Sequence, residues 1–320
     1  MKERRNGVQK KISARKQQIL MHAGIRILVQ AVFFAALPSA YSAAFAGIKG
    51  IFAQIGKGQL LTFSPFIAIL AVLLLYTIVF GRFFCGYACA FGSLGDWIYG
   101  IRKFLCARLT RKKNRNKAGG VYARADALLM WAKYLILGGI ILLVYLGLYD
   151  RLRGTSPWDV FSMLRAGRLP DRTYAYGAGV LLAILIGMAV KERFFCRYLC
   201  PMGAVFSILP VLPLFTLVRN RANCLKKCSH CKDVCPSHIE LGNTRSYEVS
   251  GECFACGRCV GACPKSNVRT KCPCGREAVI PGPDGNPEPA YRMKYLKGNE
   301  LLFVLLRAVL LAGLLKTAGM

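Results

Sequence analysis

Along the chain, polar positions all but disappear in four stretches: residues 23–47, 60–80, 127–149 and 174–190. Each is close to the ~20 residues that a helix needs to cross a hydrocarbon core of ~30 Å. In lipid the backbone must satisfy its own hydrogen bonds, so all four are expected to be transmembrane helices. A fifth apolar run, Leu301–Leu315, is shorter and carries Arg307; it reads as a fifth span or an interfacial helix. The polar remainder falls between and beyond these runs. Residues 1–22 form a basic N-terminus, 23–215 a membrane domain, and 216–270 a cysteine-rich module. Residues 271–299 form a linker around the turn-rich PGPDGNPEP (Pro281–Pro289), and 300–320 a C-terminal apolar helix.

Composition agrees with this pattern. Apolar residues make up 54% of 320, which excludes a disordered chain and argues against a simple soluble enzyme. The net charge of +30 is distributed by side. The first twenty residues carry seven positive charges and one negative, and Gly81–Arg124 carries ten and one, including RKKNRNK (Arg111–Lys117). Ile48–Gln59 carries two positives, and Asp150–Thr173 five against three negatives. The N-terminus and the Arg111 loop are therefore expected in the cytoplasm, and so is everything from Lys191 to Asn299. Acidic lipid headgroups account for the charge, and no recognition motif points to nucleic acid. Ile19–Leu37, followed by small residues, resembles a signal peptide, but the long basic leader favours an uncleaved anchor.

The spans are joined by a repeat. RFFCGYACAFG (Arg82–Gly92) and RFFCRYLCPMG (Arg193–Gly203) agree at seven of eleven positions, 111 residues apart. Each follows a span running from outside to inside, so the repeats are parallel. Cysteines four apart share a helical face. Cys85 and Cys89 with Cys196 and Cys200 are thus candidates for a third iron–sulfur centre or a redox dithiol at the membrane surface, against the plainer reading of small apolar packing.

The sharpest signal is CFACGRCVGACP (Cys253–Pro264), the C-x2-C-x2-C-x3-C-P run of bacterial ferredoxins. Its partner CLKKCSHCKDVCP (Cys224–Pro236) has one extra residue in the first gap, which a local bulge or an incomplete, three-iron cluster would accommodate. Zinc sites more often use C-x2-C pairs separated by a longer insert. Because the fourth cysteine of such a run usually serves the other cluster, two 4Fe–4S clusters are expected. One would be held by Cys224, Cys228, Cys231 and Cys263, the other by Cys253, Cys256, Cys259 and Cys235. Reduced thiols in this number require a reducing compartment, in agreement with the charge topology. His230 and His238 read as loop polarity, Cys106 as inert, and Cys272 and Cys274 receive no role. Lys226, Lys227, Lys232, Arg258 and Lys265 would favour the reduced clusters and attract an acidic donor. Trp97, Tyr99, Trp131 and Trp158 read as interfacial anchors.

Spans, duplicated RFFCxYxCxxG motifs and paired ferredoxin loops together resemble the NapH/NosR-type membrane ferredoxins and the related CcoG group, from about Leu60 to Pro264. The resemblance implies a multi-pass protein of the bacterial inner membrane with two cytoplasmic 4Fe–4S clusters. It implies electron transfer between a quinone pool or cytoplasmic donor and a partner reductase, or support of metalloenzyme maturation. The chain has no room for the extracytoplasmic flavin domain of the larger NosR-like members. The expected fold is an α-helical membrane protein of four or five transmembrane helices with a two-cluster ferredoxin-like α+β module. The expected role is a component of an oxidoreductase system with no catalytic residue of its own. Metalloenzyme maturation (metal or thiol reduction) and redox sensing are the alternatives. Few ionisable residues interrupt the spans (Arg26, Lys133, Arg307), which argues against a substrate transporter.

Overall fold

The structure, a computed structural model, describes residues 2–109, 120–149, 156–212 and 215–320, apart from residues 216, 220–223, 226–227, 240, 242–249, 266, 271–276, 282–286 and 292–299. It is mainly helical, and among the described residues three helices are long and apolar enough to cross a membrane: Ile19–Ala36, Asp126–Tyr145 and Arg172–Val190. These fall on three of the four expected spans. The fourth is the 16-residue apolar helix α3 (Pro65–Phe80). Residues 23–47 are not one helix. Pro38 cannot continue a helical ladder and disfavours helix at the residue before it. The run therefore breaks at Leu37–Ser39 into α1 (Lys2–Ala36) and α2 (Ala40–Gly56).

The chain forms two compact units. One comprises residues 1–32, 75–87 and 209–313. Here β1 (Leu217–Arg219) pairs antiparallel with β2 (Val268–Thr270), and the short helices α9 (His230–Asp233) and α10 (Arg258–Ala262) follow the cysteine loops. Pairing the first and last strands closes the module around Leu241, Cys259 and Val268. The helix α11 (Glu300–Thr317) covers the expected fifth apolar run. Its Glu300 carboxylate accepts from the Thr270 backbone N–H at 3.0 Å and from Thr270 Oγ1 at 2.8 Å, tying helix to sheet. Arg307, 5% exposed, lies 3.9 Å from the Phe303 ring centroid and donates to the Phe215 carbonyl, so this cation is held by ring faces and backbone. Where composition suggested a linker, β3 (Glu277–Pro281) and β4 (Pro287–Tyr291) pair antiparallel, Glu277 opposite Tyr291.

The second unit comprises residues 33–74, 88–208 and 314–320. α4 (Ala90–Leu109) and α6 (Pro157–Arg165) pack on α7 (Ala175–Val190), while α2 and α8 (Pro201–Ile208) pack on α5 (Gly120–Tyr145). Its buried arginines are paired with carboxylates, as an apolar surrounding demands. Arg193 donates from Nε to Asp96 Oδ1 at 2.8 Å and from Nη2 to Oδ2 at 2.6 Å. Lys191, Arg197 and Tyr198 converge on the Asp126 carboxylate.

Candidate iron–sulfur sites

In the module, Ala255 and Gly257 take left-handed φ of 49° and 69°. These two reversals coil the backbone tightly between Cys253 and Cys259. The Cys259 thiol is raised well above the ordinary range, first by burial, then by Cys256, Cys253, Cys235 and Cys231. The Cys253 thiol is pushed up to about 12, again first by burial, with Cys256 and Cys235 adding to it. Cys235, from the other loop, lies within electrostatic reach of both Cys253 and Cys259. These cysteines and Cys231 line one small pocket with Leu217, Leu241 and Phe254.

Cys224 and Cys263 meet at Asn267. Its backbone N–H donates to Cys263 Sγ at 3.2 Å and its Nδ2 to Cys224 Sγ at 3.6 Å. Arg219 Nη1 donates to Cys231 Sγ at 3.4 Å. Cys228 N–H donates to the Leu225 carbonyl at 3.1 Å. All thirteen described cysteines are unbridged. Among the described residues, no three His, Cys, Asp or Glu side chains close to single-ion distance. A cubane spreads its thiolates wider than a lone ion, and soft sulfur donors with N–H groups on them are the set that such a cluster uses. The residues present fit the group. His230 and His238 are exposed on the loops, as are Lys232 and Lys265; Arg258 is half-buried. Lys226, Lys227, Cys272, Cys274 and Arg111–Lys117 lie outside the described residues.

Both copies of the repeat fold alike. Each makes a one-turn π-helix, Phe84–Ala88 and Phe195–Leu199, and then enters an α-helix. Cys85, Cys89, Cys196 and Cys200 are all buried. The first-copy turn, which carries Cys85, belongs to the module's unit. There Arg82 Nη1 donates to Glu252 Oε2 at 3.5 Å, Tyr87 Oη donates to the Cys256 carbonyl at 3.3 Å, and Gln30 Nε2 donates to the Gly86 carbonyl at 3.0 Å. In the second unit, Cys89, Cys196 and Cys200 lie within electrostatic reach of the Tyr41 hydroxyl. Cys200 S–H donates to Tyr41 Oη at 3.7 Å, and Gly203 N–H donates to Cys200 Sγ at 3.2 Å.

Trp158, half-buried, stacks on Tyr41 at 6.0 Å and packs edge-on to Phe195, so its ring is held by aromatic neighbours. Trp97 likewise packs on Phe34 at 5.2 Å, whereas Trp131 is 68% exposed, as an anchor would be. Trp158 also walls a cavity of about 460 Å³, with Ser39, Ser42, Phe45, Lys49 and Asp159. Its indole N–H is buried and meets no acceptor among the described residues. Sequence reading assigned no role to Tyr41, Asn267, Arg82, Tyr87 or Asp126. The arginine and tyrosine carried a signal, since both recur in the repeat; Tyr41 and Asn267 carried none.

Comparison with known proteins places these features. A family described as a 4Fe-4S binding domain matches residues 61–112 and 175–213, the stretches that hold the two repeat copies. An uncharacterized protein of Methanocaldococcus jannaschii is 31% identical over 204 residues, 62% of this chain and 76% of its own length. The ferredoxin-type protein NapH of Haemophilus influenzae is 25% identical over 205 residues, 60% of this chain and 63% of its own. The putative electron transport protein YccM of Escherichia coli is 25% identical over 232 residues, 70% of this chain and 61% of its own. The matched stretch thus spans less than two thirds of the NapH and YccM relatives. No solved structure matches. With its apolar helices, its 4Fe–4S family match and its ferredoxin-type relatives, the chain belongs to the NapH-type family of membrane 4Fe–4S ferredoxins.

Proposed function

We propose that the chain is a multi-pass protein of the bacterial cytoplasmic membrane that relays single electrons between a cytoplasmic or quinone-linked donor and a partner redox enzyme, with its cysteine module on the cytoplasmic side. The observation that carries this is the pocket that Cys235 of the first loop lines together with Cys253, Cys256 and Cys259 of the second. These four would hold one 4Fe–4S cluster, and Cys224, Cys228, Cys231 and Cys263 the other. Such a cluster supplies one-electron chemistry with little movement of its ligands. The chain's part is to fix the sulfurs, to exclude water with Leu217, Leu241 and Phe254, and to aim N–H donors from Asn267 and Arg219 at ligand sulfurs. Cys89, Cys196 and Cys200 around Tyr41 are proposed as a further redox site.

The cavity beside Trp158 supports the quinone-linked side of this reading. The indole that walls it stacks on the ring whose hydroxyl Cys200 touches, which puts the cavity beside the repeat's cysteines. Protein purified without oxygen should hold about eight iron atoms per chain if both ferredoxin loops are filled. Its reduced clusters should reoxidise on addition of a quinone analogue, and Cys235→Ser should remove one cubane signal and leave the other. Colourless, iron-free protein, or zinc in place of iron, overturns the proposal.

A further inference from the structure

The two repeat copies share a backbone but meet different partners, and one position decides which. Gly86 of the first copy aligns with Arg197 of the second. A Cβ on Gly86 would stand 2.4 Å from the Phe254 carbonyl oxygen, so the second cysteine loop approaches this turn closely only because the side chain is absent. Arg197 instead reaches Asp126, together with Lys191 and Tyr198. On the first copy the loop meets two polar groups. Tyr87 Oη donates to the carbonyl of Cys256. The Arg82 guanidinium, 1% exposed and only loosely paired with the Glu252 carboxylate at 3.5 Å, lies 5.8 Å from the Phe254 ring centroid and within electrostatic reach of Cys253. Reduction of a cluster adds negative charge. A buried guanidinium and an O–H dipole beside the ligands favour that state, and burial spares them most of the screening by water.

We propose that Arg82 and Tyr87 are positioning residues that raise the reduction potential of the cluster on the second loop, and that Gly86 restricts this arrangement to the first repeat copy. The inference rests on the ligand assignment proposed above. The other cluster has its own guanidinium, Arg219, on Cys231, which supplies an internal control.

The test is a redox titration of the full chain in lipid nanodiscs without oxygen, followed by electron paramagnetic resonance. In Arg82→Gln the midpoint of one cluster should move to a more negative potential while the other stays; Arg82→Lys, which keeps the charge, should restore most of the shift. Tyr87→Phe should move the same midpoint by less, and Arg219→Gln should move the other one. Gly86→Ala should disturb the cluster that Arg82→Gln disturbs, whereas Arg197→Gly should leave both in place. If Arg82→Gln fails to assemble, Tyr87→Phe, which loses only a hydroxyl, carries the test. Unchanged midpoints in these variants, or equal movement of both clusters, overturn the inference while the ligand assignment stands. No cubane signal in the unsubstituted protein overturns both.

Discussion

Replacing Asp96 with Asn should loosen the second repeat copy. Asp96 and Arg193 form a two-pronged pair at 2.8 and 2.6 Å, with side chains 2% and 1% exposed. Asparagine keeps the shape but removes the charge, leaving a buried guanidinium without its counterion. Breaking such a pair from one side costs about 3–5 kcal/mol, or roughly two to three and a half powers of ten in an equilibrium constant at about 1.4 kcal/mol per decade. The position is already strained, because Arg193 sits at φ 57°, where a residue with a Cβ is disfavoured. The pair thus holds a turn that would otherwise relax, and Cys196 and Cys200, each 5% exposed, lie just beyond it. The assay is alkylation of these two thiols by a maleimide in detergent, alongside a thermal melt followed by circular dichroism. Alkylation should accelerate by up to that factor and the melt should shift down. Because an apolar pair of similar volume is often neutral, Asp96→Leu with Arg193→Met should recover most of the loss. Alkylation and melting identical to the parent in Asp96→Asn would refute the reasoning.

Other expectations are checked more briefly. Asn267→Leu loses the Nδ2 contact to Cys224 and keeps the backbone donor to Cys263, so the first-loop cluster should assemble with lower occupancy, read by iron content against the second-loop signal. Trp158→Ala removes the ring that walls the cavity and stacks on Tyr41, so a quinone analogue should bind several-fold more weakly, measured by equilibrium titration. In cluster-free protein the Cys253 thiol is raised from 9.0 to about 12 and Cys259 is raised as well. Below about pH 9 both folded and unfolded thiols keep their protons. Between about 9 and 12 only the unfolded chain releases them, so apo-protein stability should fall across that window in denaturant titrations. Cluster assembly must displace the same protons, so its rate in reconstitution should drop as pH is lowered.

Much of the molecule was legible because its signals are local. Apolar runs at 126–145 and 172–190 are helices, and the run at 60–80 contains α3. The first run differs from its hydropathy in extent. Hydropathy is blind to the single proline at 38, whose missing N–H and steric demand divide it into α1 and α2. The Pro/Gly-rich stretch after residue 271 was read as linker because turn residues dominate it, yet its flanks pair as β3 and β4. The tryptophans divide in the same way. An indole near a span end reads as an anchor, and only the contacts with Tyr41 and Phe195 show that the Trp158 ring is held by aromatic neighbours.

By itself the sequence determined the chemistry. Thiol spacing along a short loop fixes which cluster type the loop can embrace, and a long apolar run fixes that the chain must form helices in lipid, since both follow from bond lengths and solvation within a few residues. The tertiary structure decided which groups from distant segments stand beside those thiols. Asn267 on two sulfurs, Tyr41 beside Cys200, and the second cysteine loop against Gly86 and not Arg197 depend on backbones brought within contact across more than a hundred residues in the last two cases. Such approaches turn on the presence or absence of a single side chain, and no periodicity along the chain records them.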